Sequence, residues 1–284
     1  MVVAPVEIGP GPRAPAGQFS LSQDLVSARK SSMSAMRPSF VKTRRAGMVC
    51  GFLFWSNPGI MTEGRKKMAH IEPRPRDAVD ELKGIFSGAE AAMGFVPNSM
   101  LTMAHMPQLP AAFFALTSVV FGGDLKAAMP MLERSVADDP DRSDNLSADL
   151  VQLIAFAVSV SAGCRYCQAH TAHQMVERGG DRAKLDAVLE FETEPAFSES
   201  ERAVIAVAMA AGQNPNASTP EMFESLKTHF SSRQIVQIVS IIALFGFLNR
   251  WNDTMATALE LPAAEFAASA LVAVDWTVGK HGSN

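Results

Sequence analysis

Residues 147–177 read SADLVQLIAFAVSVSAGCRYCQAHTAHQMVE, and this stretch decides the class of fold. Its first half repeats apolar side chains at helical spacing, a pattern typical of a helix packed in a core. Ser147 is a favourable N-cap and predicts that the helix begins there. Gly163 predicts where it ends, because glycine readily adopts the conformation that closes many helices. A second helix is expected over residues 164–177.

The same pattern continues along the chain from residue 68. Glycine, proline and aspartate clusters separate stretches of helical period, and no stretch alternates with period two for long. The predicted fold class is therefore all-α. The other helices are expected at 77–86, 110–120, 125–136, 182–190, 198–211, 220–230, 232–247, 249–260 and 262–272.

An internal similarity at a spacing of 85 residues predicts a repeated pair of antiparallel helices. Residues 150–154, LVQLI, align with residues 235–239, IVQIV, and the glycine and cysteine turn then aligns with residues 247–249. We therefore expect a sharp break at 247–249. The second copy has the polar stretch 249–253 where the first has its cysteines. We expect this stretch to form a packed polar network, with Arg250 and Asp253 available to pair.

The composition is that of a globular protein. The chain has 284 residues, of which 48% are apolar, a formal charge of −4 and three cysteines, too few for a disulfide scaffold. The longest apolar run near the N-terminus, 46–55, has about half of the roughly 20 residues that span a membrane. The slightly acidic balance argues against nucleic-acid binding. We expect a soluble, cytoplasmic protein with neither a membrane nor a nucleic-acid partner.

Residues 1–67 differ from the rest, because they carry ten Lys or Arg and only three Asp or Glu. This basic segment is predicted to be mostly disordered, since it cannot bury enough apolar area to offset its ordering entropy. Two interpretations stay open, a processed or dangling leader and translation that starts at Met68. Residues 68–284 are expected to form the folded domain. Cys50 lies in the leader and is given no chemical role.

The chemistry is expected at Cys164 and Cys167, a CxxC pair at the start of a predicted helix. Residues three apart on a helix share a face, so the two thiols can close a disulfide. The unpaired N–H groups of a helix start lower the pKa of a thiol, and Arg165 adds positive charge. A thiolate attacks peroxides and disulfides, and a second cysteine resolves the product. The pair therefore predicts redox chemistry.

Zinc binding is the alternative chemistry for this stretch, which contains four common zinc ligands. These are Cys164, Cys167, His170 and His173. Three residues turn a helix by about 300°, so successive members fan out by about 60° and cannot converge on one ion. A zinc site formed by the two cysteines with a distant His105 or His229 remains an open alternative. The expectation is that the protein uses no metal and no cofactor.

Helical geometry ranks the groups that could assist the thiols. Thr171 lies about 40° from Cys167 around the helix, and His170 lies about 60° to the other side. His170 is therefore the better histidine partner for Cys167, and His173 lies a further 60° away. The alternative is that one or both histidines only hydrogen-bond a helix neighbour or another subunit.

These residues resemble the AhpD-like, carboxymuconolactone decarboxylase-like superfamily. The resemblance rests on the CxxC helix start after an apolar helix, on residues 94–98, GFVPN, and on residues 247–253, FLNRWND. It covers residues 68 to about 276. It implies an all-helical AhpD-like domain that assembles into homo-oligomers, often trimers or hexamers. In members with the cysteine pair, it implies alkylhydroperoxidase activity through a disulfide cycle without metal or haem.

The chain departs from this peroxidase pattern at two positions. The pattern has a glutamate about twelve residues before the first cysteine and a histidine four after the second, where this chain has Gln152 and Thr171. Neither side chain carries a proton as a carboxylate or an imidazole does near neutral pH. His170 could replace the histidine, but nothing nearby replaces the acid. We therefore expect a redox-competent pair with a low peroxidase rate or an unusual substrate.

The predicted function is the reduction of organic or hydrogen peroxide through a Cys164–Cys167 disulfide. Cys167, beside His170, is expected to react with the small peroxide, and Cys164 to resolve the product. The supporting residues are expected to be Thr171, Tyr166, Gln152 and His173. The electron donor is expected to be a thiol or a disulfide reductase. The alternatives are a non-enzymatic helical oligomer with a vestigial or redox-sensing CxxC and, as a weaker one, a lactone decarboxylase.

Overall fold

All regular elements of the described chain are helices. The structure, a computed structural model, describes residues 69–282, and these residues contain no strand. The predicted all-α class is confirmed. The basic segment 1–67, with Cys50, lies outside the described residues. The α-helices of residues 69–282 are α1 Lys83–Met93, α2 Asn98–Met103, α3 Leu109–Val120, α4 Leu125–Ser135, α5 Ala148–Ala162, α6 Arg165–Glu177, α7 Ala183–Asp186, α8 Glu199–Ala211, α9 Pro220–Lys227, α10 Ser232–Met255 and α11 Leu261–Ala270.

Helix α5 is the centre of the larger apolar core. Its residues 153–159 are all buried, and Leu153, Ile154 and Phe156 are at most 1% exposed. The helix packs against α6, α8 and α10. Full burial of a large apolar side chain contributes roughly 1.5–3 kcal/mol, so α5 is a rigid support for the helices around it.

A sharp turn at Gly163 joins α5 to α6. Gly163 has a φ of 75°, in the left-handed region that glycine adopts without strain. The N–H groups of Gly163 and Cys164 donate to the carbonyl groups of Val160 and Ser159. Cys164 is the extended N-cap of α6. The predicted helix–glycine–helix unit is confirmed, and it places Cys167 in the first turn of α6.

Helices α1 to α4 surround a smaller apolar cluster. Its most buried members are Leu82, Ile85 and Phe86. The predicted helix 77–86 begins and ends later than expected, because a short 3-10 turn precedes α1 and α1 extends to Gly94, which has a φ of 82°. The extension follows from the alanine-rich residues 87–93, which favour helix. The chain break expected at residues 94–98 is confirmed.

Helix starts were easier to predict than helix ends. At the start of α8, the Ser198 hydroxyl accepts from the N–H of Glu201, and the Glu201 carboxylate accepts from the N–H of Ser198. This reciprocal cap satisfies two otherwise unpaired donors, as the sequence predicts. The expected helix 182–190 is instead split into α7 and a 3-10 turn at Val188–Glu190.

The predicted break at 247–249 is wrong. Helix α10 is continuous across these residues, which contain neither glycine nor proline. Asn249 and Asn252 continue the buried side of the helix. The chain leaves α10 only at Ala256, and α11 follows, so the expected helix 249–260 does not form. The second half of the predicted repeat is therefore a single long helix and not a pair.

Helix α10 is long and apolar enough to cross a membrane. It has 24 residues, and its most apolar window has a mean hydropathy of 1.4. The core helix of a soluble protein satisfies the same test, and α10 packs against α5, α6, α8 and α9. A single such helix is therefore weak evidence for a membrane span.

Candidate active site

The two cysteines lie side by side at the start of α6. Cys164 is the N-cap, and Cys167 is in the first turn. Both are free thiols, 0% and 3% exposed, and they hydrogen-bond to each other. Because the two thiols interact with each other and are sheltered from water, the pair is arranged for sulfur–sulfur chemistry.

The surroundings give the two thiols opposite character. The hydrogen bond from the Cys164 thiol lowers the pKa of Cys167, burial opposes this, and the Nδ2 amide of Asn252, 3.5 Å from Cys167 Sγ, lowers the pKa further. The pKa of Cys164 is raised far above its ordinary value by its hydrogen bond to Cys167 and then by burial. The predicted lowering of a thiol pKa is therefore found for Cys167 and not for Cys164.

Arg165 does not supply the positive charge that we expected beside the thiols. Its guanidinium donates to Gln168 Oε1 at 3.2 Å and to the carbonyl of Val274 at 3.5 Å. The carbonyl of Arg165 accepts the indole N–H of Trp276 at 2.9 Å. Arg165 therefore links the start of α6 to the C-terminal segment by hydrogen bonds.

A carboxylate and an imidazole from the C-terminal part of the chain reach Cys164. Asp253 lies on α10, and His281 lies in a short 3-10 turn. One polar atom of each of the three side chains lies within 4.8 Å of the other two. His281 Nε2 is 3.2 Å from Asp253 Oδ1, and His281 Nδ1 is 2.8 Å from the carbonyl oxygen of Thr257. An acid–imidazole pair therefore stands next to the buried thiol.

The polar network expected around residues 249–253 is present with different partners. Asp253 pairs with His281 and, at 3.5 Å, with Lys280. Arg250 instead donates to the carbonyl of Gly246 on its own helix. Because α10 has no break here, Arg250 and Asp253 are three residues apart on one helix and take separate partners.

His170 and Tyr166 converge on Glu260 at the start of α11. His170 Nε2 is 2.7 Å from Glu260 Oε2, and the Tyr166 hydroxyl donates to Glu260 Oε1 at 3.2 Å. Burial, followed by the negative charge of Glu260, raises the pKa of Tyr166 to about 12. Within residues 69–282, no hydrogen bond or ion pair joins His170 to Cys164 or Cys167.

The other predicted site residues have partners away from the sulfur atoms. The Thr171 hydroxyl donates to the carbonyl of Cys167 at 2.7 Å. His173 Nε2 lies 3.5 Å from Glu177 Oε1, and its ring stacks on Phe266. Gln152 is half-buried near the start of α5, and its side chain makes no hydrogen bond to another described residue.

An open cavity of about 430 Å³ lies against the site. Its wall is formed by the end of α5, the end of α8 and the middle of α10. Asp253 and Lys280 belong to this wall, and the two cysteines do not. Asp253 therefore lies near the buried Cys164 thiol and also lines the cavity.

Cys164, Asp253 and His281 also offer the donor types that divalent metals bind. A thiol, a carboxylate and an imidazole within 4.8 Å of one another have the spacing of a small metal site. Asp253 and His281 already satisfy each other through a hydrogen bond. His105 bonds the carbonyl of Glu72, and His229 lies against Phe230, so neither of the distant histidines weighed for zinc is placed with the cysteines.

Asn252, Asp253 and His281 are the members of the site that the sequence did not reveal. Asn252 and Asp253 lie in the stretch 247–253, which we interpreted as structural. His281 follows a long way after it, without a motif around it. The only available signal was that a polar stretch continues the buried side of an apolar helix.

The thiol segment matches a known protein family. Residues 125–210 match the model of the carboxymuconolactone decarboxylase family, and this range contains α5, α6 and both cysteines. Over these residues the match agrees with the carboxymuconolactone decarboxylase-like resemblance that the sequence shows.

Individual relatives are distant. The uncharacterized protein YnjA of Escherichia coli (strain K12) is 27% identical over 103 residues, which are 36% of this chain and 57% of YnjA. The chain thus spans little more than half of that curated relative. The debrominase Bmp8, solved with 2,3,4-tribromopyrrole, is 29% identical with a TM-score of 0.42, over 72% of this chain and 98% of its own. An AhpD-core peroxidase-related protein from Ralstonia eutropha JMP134 is 24% identical with a TM-score of 0.36, over 65% and 90% of the two chains.

Proposed function

We propose that the protein is a thiol oxidoreductase that reduces hydroperoxides with Cys164 and Cys167. The Cys167 thiolate attacks the terminal peroxide oxygen, the O–O bond breaks, and the departing alkoxide takes a proton to leave as an alcohol. Cys167 is then a sulfenic acid. The Cys164 thiol attacks this sulfur, the disulfide forms, and water leaves. Two electrons from an external thiol or a disulfide reductase restore both thiols.

The asymmetry of the thiol pair carries this proposal. Cys167 receives hydrogen bonds from Cys164 and from Asn252, which stabilise a thiolate, while Cys164 keeps its proton. A nucleophile and a resolving thiol need this division of roles, because the attacking sulfur must be ionised. Two structural cysteines in an apolar core would need no buried amide directed at one of them.

The burial of the pair favours small oxidants. Cys164 and Cys167 are 0% and 3% exposed, so a substrate must reach sulfur through a narrow approach. We expect hydrogen peroxide to be reduced faster than cumene hydroperoxide, whose aromatic group needs the site to open. Initial rates with the two peroxides measure this. A faster reaction with the bulky peroxide would contradict the proposed approach.

The direct test is peroxide consumption by the full chain with dithiothreitol as the reductant. We expect wild type to consume hydrogen peroxide continuously above the rate of dithiothreitol alone, and Cys167→Ser to lose this activity. The Cys164→Ser variant should still form a sulfenic acid once but lack the intramolecular disulfide. Cys50→Ser is the matched control and should react as wild type does. Equal rates for wild type and Cys167→Ser would reject the proposal and favour a non-enzymatic role.

We also propose that the protein is a homo-oligomer that covers the outer face of α10. Leu244, Phe247, Trp251 and Met255 lie on one side of this helix, and each is more than 40% exposed. A continuous apolar face of this kind is typical of protein contacts. Light scattering on the wild-type chain should give a trimer or a hexamer, and Trp251→Asp should lower the mass. A wild-type monomer would contradict this proposal.

A further inference from the structure

The disulfide step of the proposed cycle requires that a sealed thiol lose its proton. Cys164 is 0% exposed. Water therefore cannot collect the proton directly from its sulfur. The residues that the peroxidase pattern uses for proton transfer are absent, since this chain has Gln152 and Thr171 in their places. Another route for the proton is needed.

His281 is placed beside the thiol that must lose this proton. Its Nδ1 lies 2.8 Å from the carbonyl oxygen of Thr257, an acceptor, so this nitrogen carries a hydrogen. Its Nε2 lies 3.2 Å from Asp253 Oδ1, and a ring nitrogen, a carboxylate oxygen and the Cys164 sulfur lie within 4.8 Å of one another. The imidazole and the carboxylate can therefore share a proton and take up a further one beside this thiol.

Asp253 links this imidazole to solvent. Its Oδ1 lies 3.2 Å from His281 Nε2, where a carboxylate stabilises an imidazolium. One third of its side chain is exposed, and it lines the 430 Å³ cavity together with Lys280. A proton that reaches His281, which is 1% exposed, can therefore leave through Asp253.

We infer that His281 and Asp253 form the proton relay of the resolving cysteine. This inference rests on the proposed function. When Cys164 attacks the sulfenic acid of Cys167, the sulfur–sulfur bond forms and the Cys167 S–O bond breaks. The Cys164 proton moves to the Asp253–His281 pair, and the departing hydroxide takes up a proton from this pair and leaves as water. The distances of up to 4.8 Å close to hydrogen-bond length by side-chain rotation, as happens in many sites when the reaction begins.

The relay is tested by separating the two chemical steps in a single turnover. Reduced full-length protein is mixed with less than one equivalent of hydrogen peroxide and quenched at intervals with dimedone, which traps the sulfenic acid. Intact mass then gives the sulfenic acid and the disulfide at each time. We compare wild type with His281→Gln and Asp253→Asn. His70→Gln is the matched control, because the ring of this histidine stacks on Phe223 and not on a residue of the site.

We expect the sulfenic acid to form at the wild-type rate in both relay variants and the disulfide to close at least tenfold more slowly. General bases commonly contribute about a hundredfold or more. His70→Gln should match wild type in both steps. Disulfide closure at the wild-type rate in both relay variants would overturn the inference. If His281→Gln unfolds, Asp253→Asn carries the test, and Asp253→Glu, which keeps a carboxylate, should recover most of the closure rate.

A second measurement distinguishes failure of the relay from failure of the proposed function. Methyl methanethiosulfonate caps the Cys167 thiolate as a methyl disulfide, and Cys164 then closes the protein disulfide by releasing methanethiol. This closure removes the same proton and uses no peroxide. Slow closure in the relay variants, with no peroxide consumption by wild type, would reject the peroxidase and keep the relay. Unchanged closure with normal peroxide consumption would reject only the relay.

Discussion

Replacing Asn252 with alanine should slow the reaction of Cys167 with electrophiles about tenfold at pH values below the pKa of this thiol. The Asn252 amide lies 3.5 Å from Cys167 Sγ and is one of the groups that lower the pKa of this thiol. A hydrogen bond to a charged group contributes about 1.5–3 kcal/mol, and the length of this one points to the lower end. Because each 1.4 kcal/mol is a factor of ten, the variant holds about tenfold less thiolate below the pKa of Cys167.

The sign of the pH dependence follows from the same hydrogen bond. Losing Asn252 raises the pKa of Cys167, so the rate falls on the acid side of this pKa and meets the wild-type rate at high pH, where both proteins are fully ionised. The assay is the rate of iodoacetamide alkylation of Cys167 against pH, followed by peptide mass spectrometry.

Asn249→Ala provides the matched control. Asn249 is buried on the same helix one turn earlier, and it contacts Ser159 and not a thiol. It should destabilise the fold to a similar degree and leave the alkylation profile unchanged. Identical profiles for wild type and Asn252→Ala, or an equal shift in both variants, would refute the assignment of Asn252.

Three further predictions concern the fold that holds the site. Gly163→Ala should cost about 1–2 kcal/mol of unfolding free energy in urea titrations, because alanine is strained at a φ of 75°, while Gly88→Ala in α1 should be neutral or stabilising. Phe156→Ala should cost about 3–5 kcal/mol of unfolding free energy in the same assay. Phe121→Ala, at an 84% exposed position, should cost much less. Glu201→Gln should destabilise near neutral pH. Burial raises the pKa of Glu201, but hydrogen bonds lower it by more. The stability that the Glu201 carboxylate contributes is therefore present above its ordinary pKa and is lost as the pH falls through the lowered value. At that pH the two proteins should converge in stability.

The sequence was sufficient for the local features of the site. Gly163 and the apolar run before it decide where α5 ends, and both signals lie within a few residues of the turn they produce. The adjacency of Cys164 and Cys167 follows from their spacing in the same way. These features are properties of one helix start and need no knowledge of the rest of the fold.

The sequence was not sufficient where distant elements meet. The internal similarity suggested a break in α10, but the break in α5 depends on Gly163, and the aligned residues 247–249 contain no glycine. His170 was ranked by angles around one helix, whereas its partner Glu260 comes from another. Asp253 and His281 meet Cys164 only through packing of the C-terminal segment, which no local pattern encodes.

The ionisation of the two thiols can be measured directly by ultraviolet absorption of the thiolate in the reduced Cys50→Ser protein. One thiolate should appear at a pH below the ordinary range of cysteine and vanish in the Cys50→Ser/Cys167→Ser double variant. In Cys50→Ser/Cys164→Ala it should remain but titrate at higher pH, because its hydrogen-bond donor is gone. Two thiols that both titrate at or above the ordinary cysteine pKa, or a first thiolate on Cys164, would contradict the account.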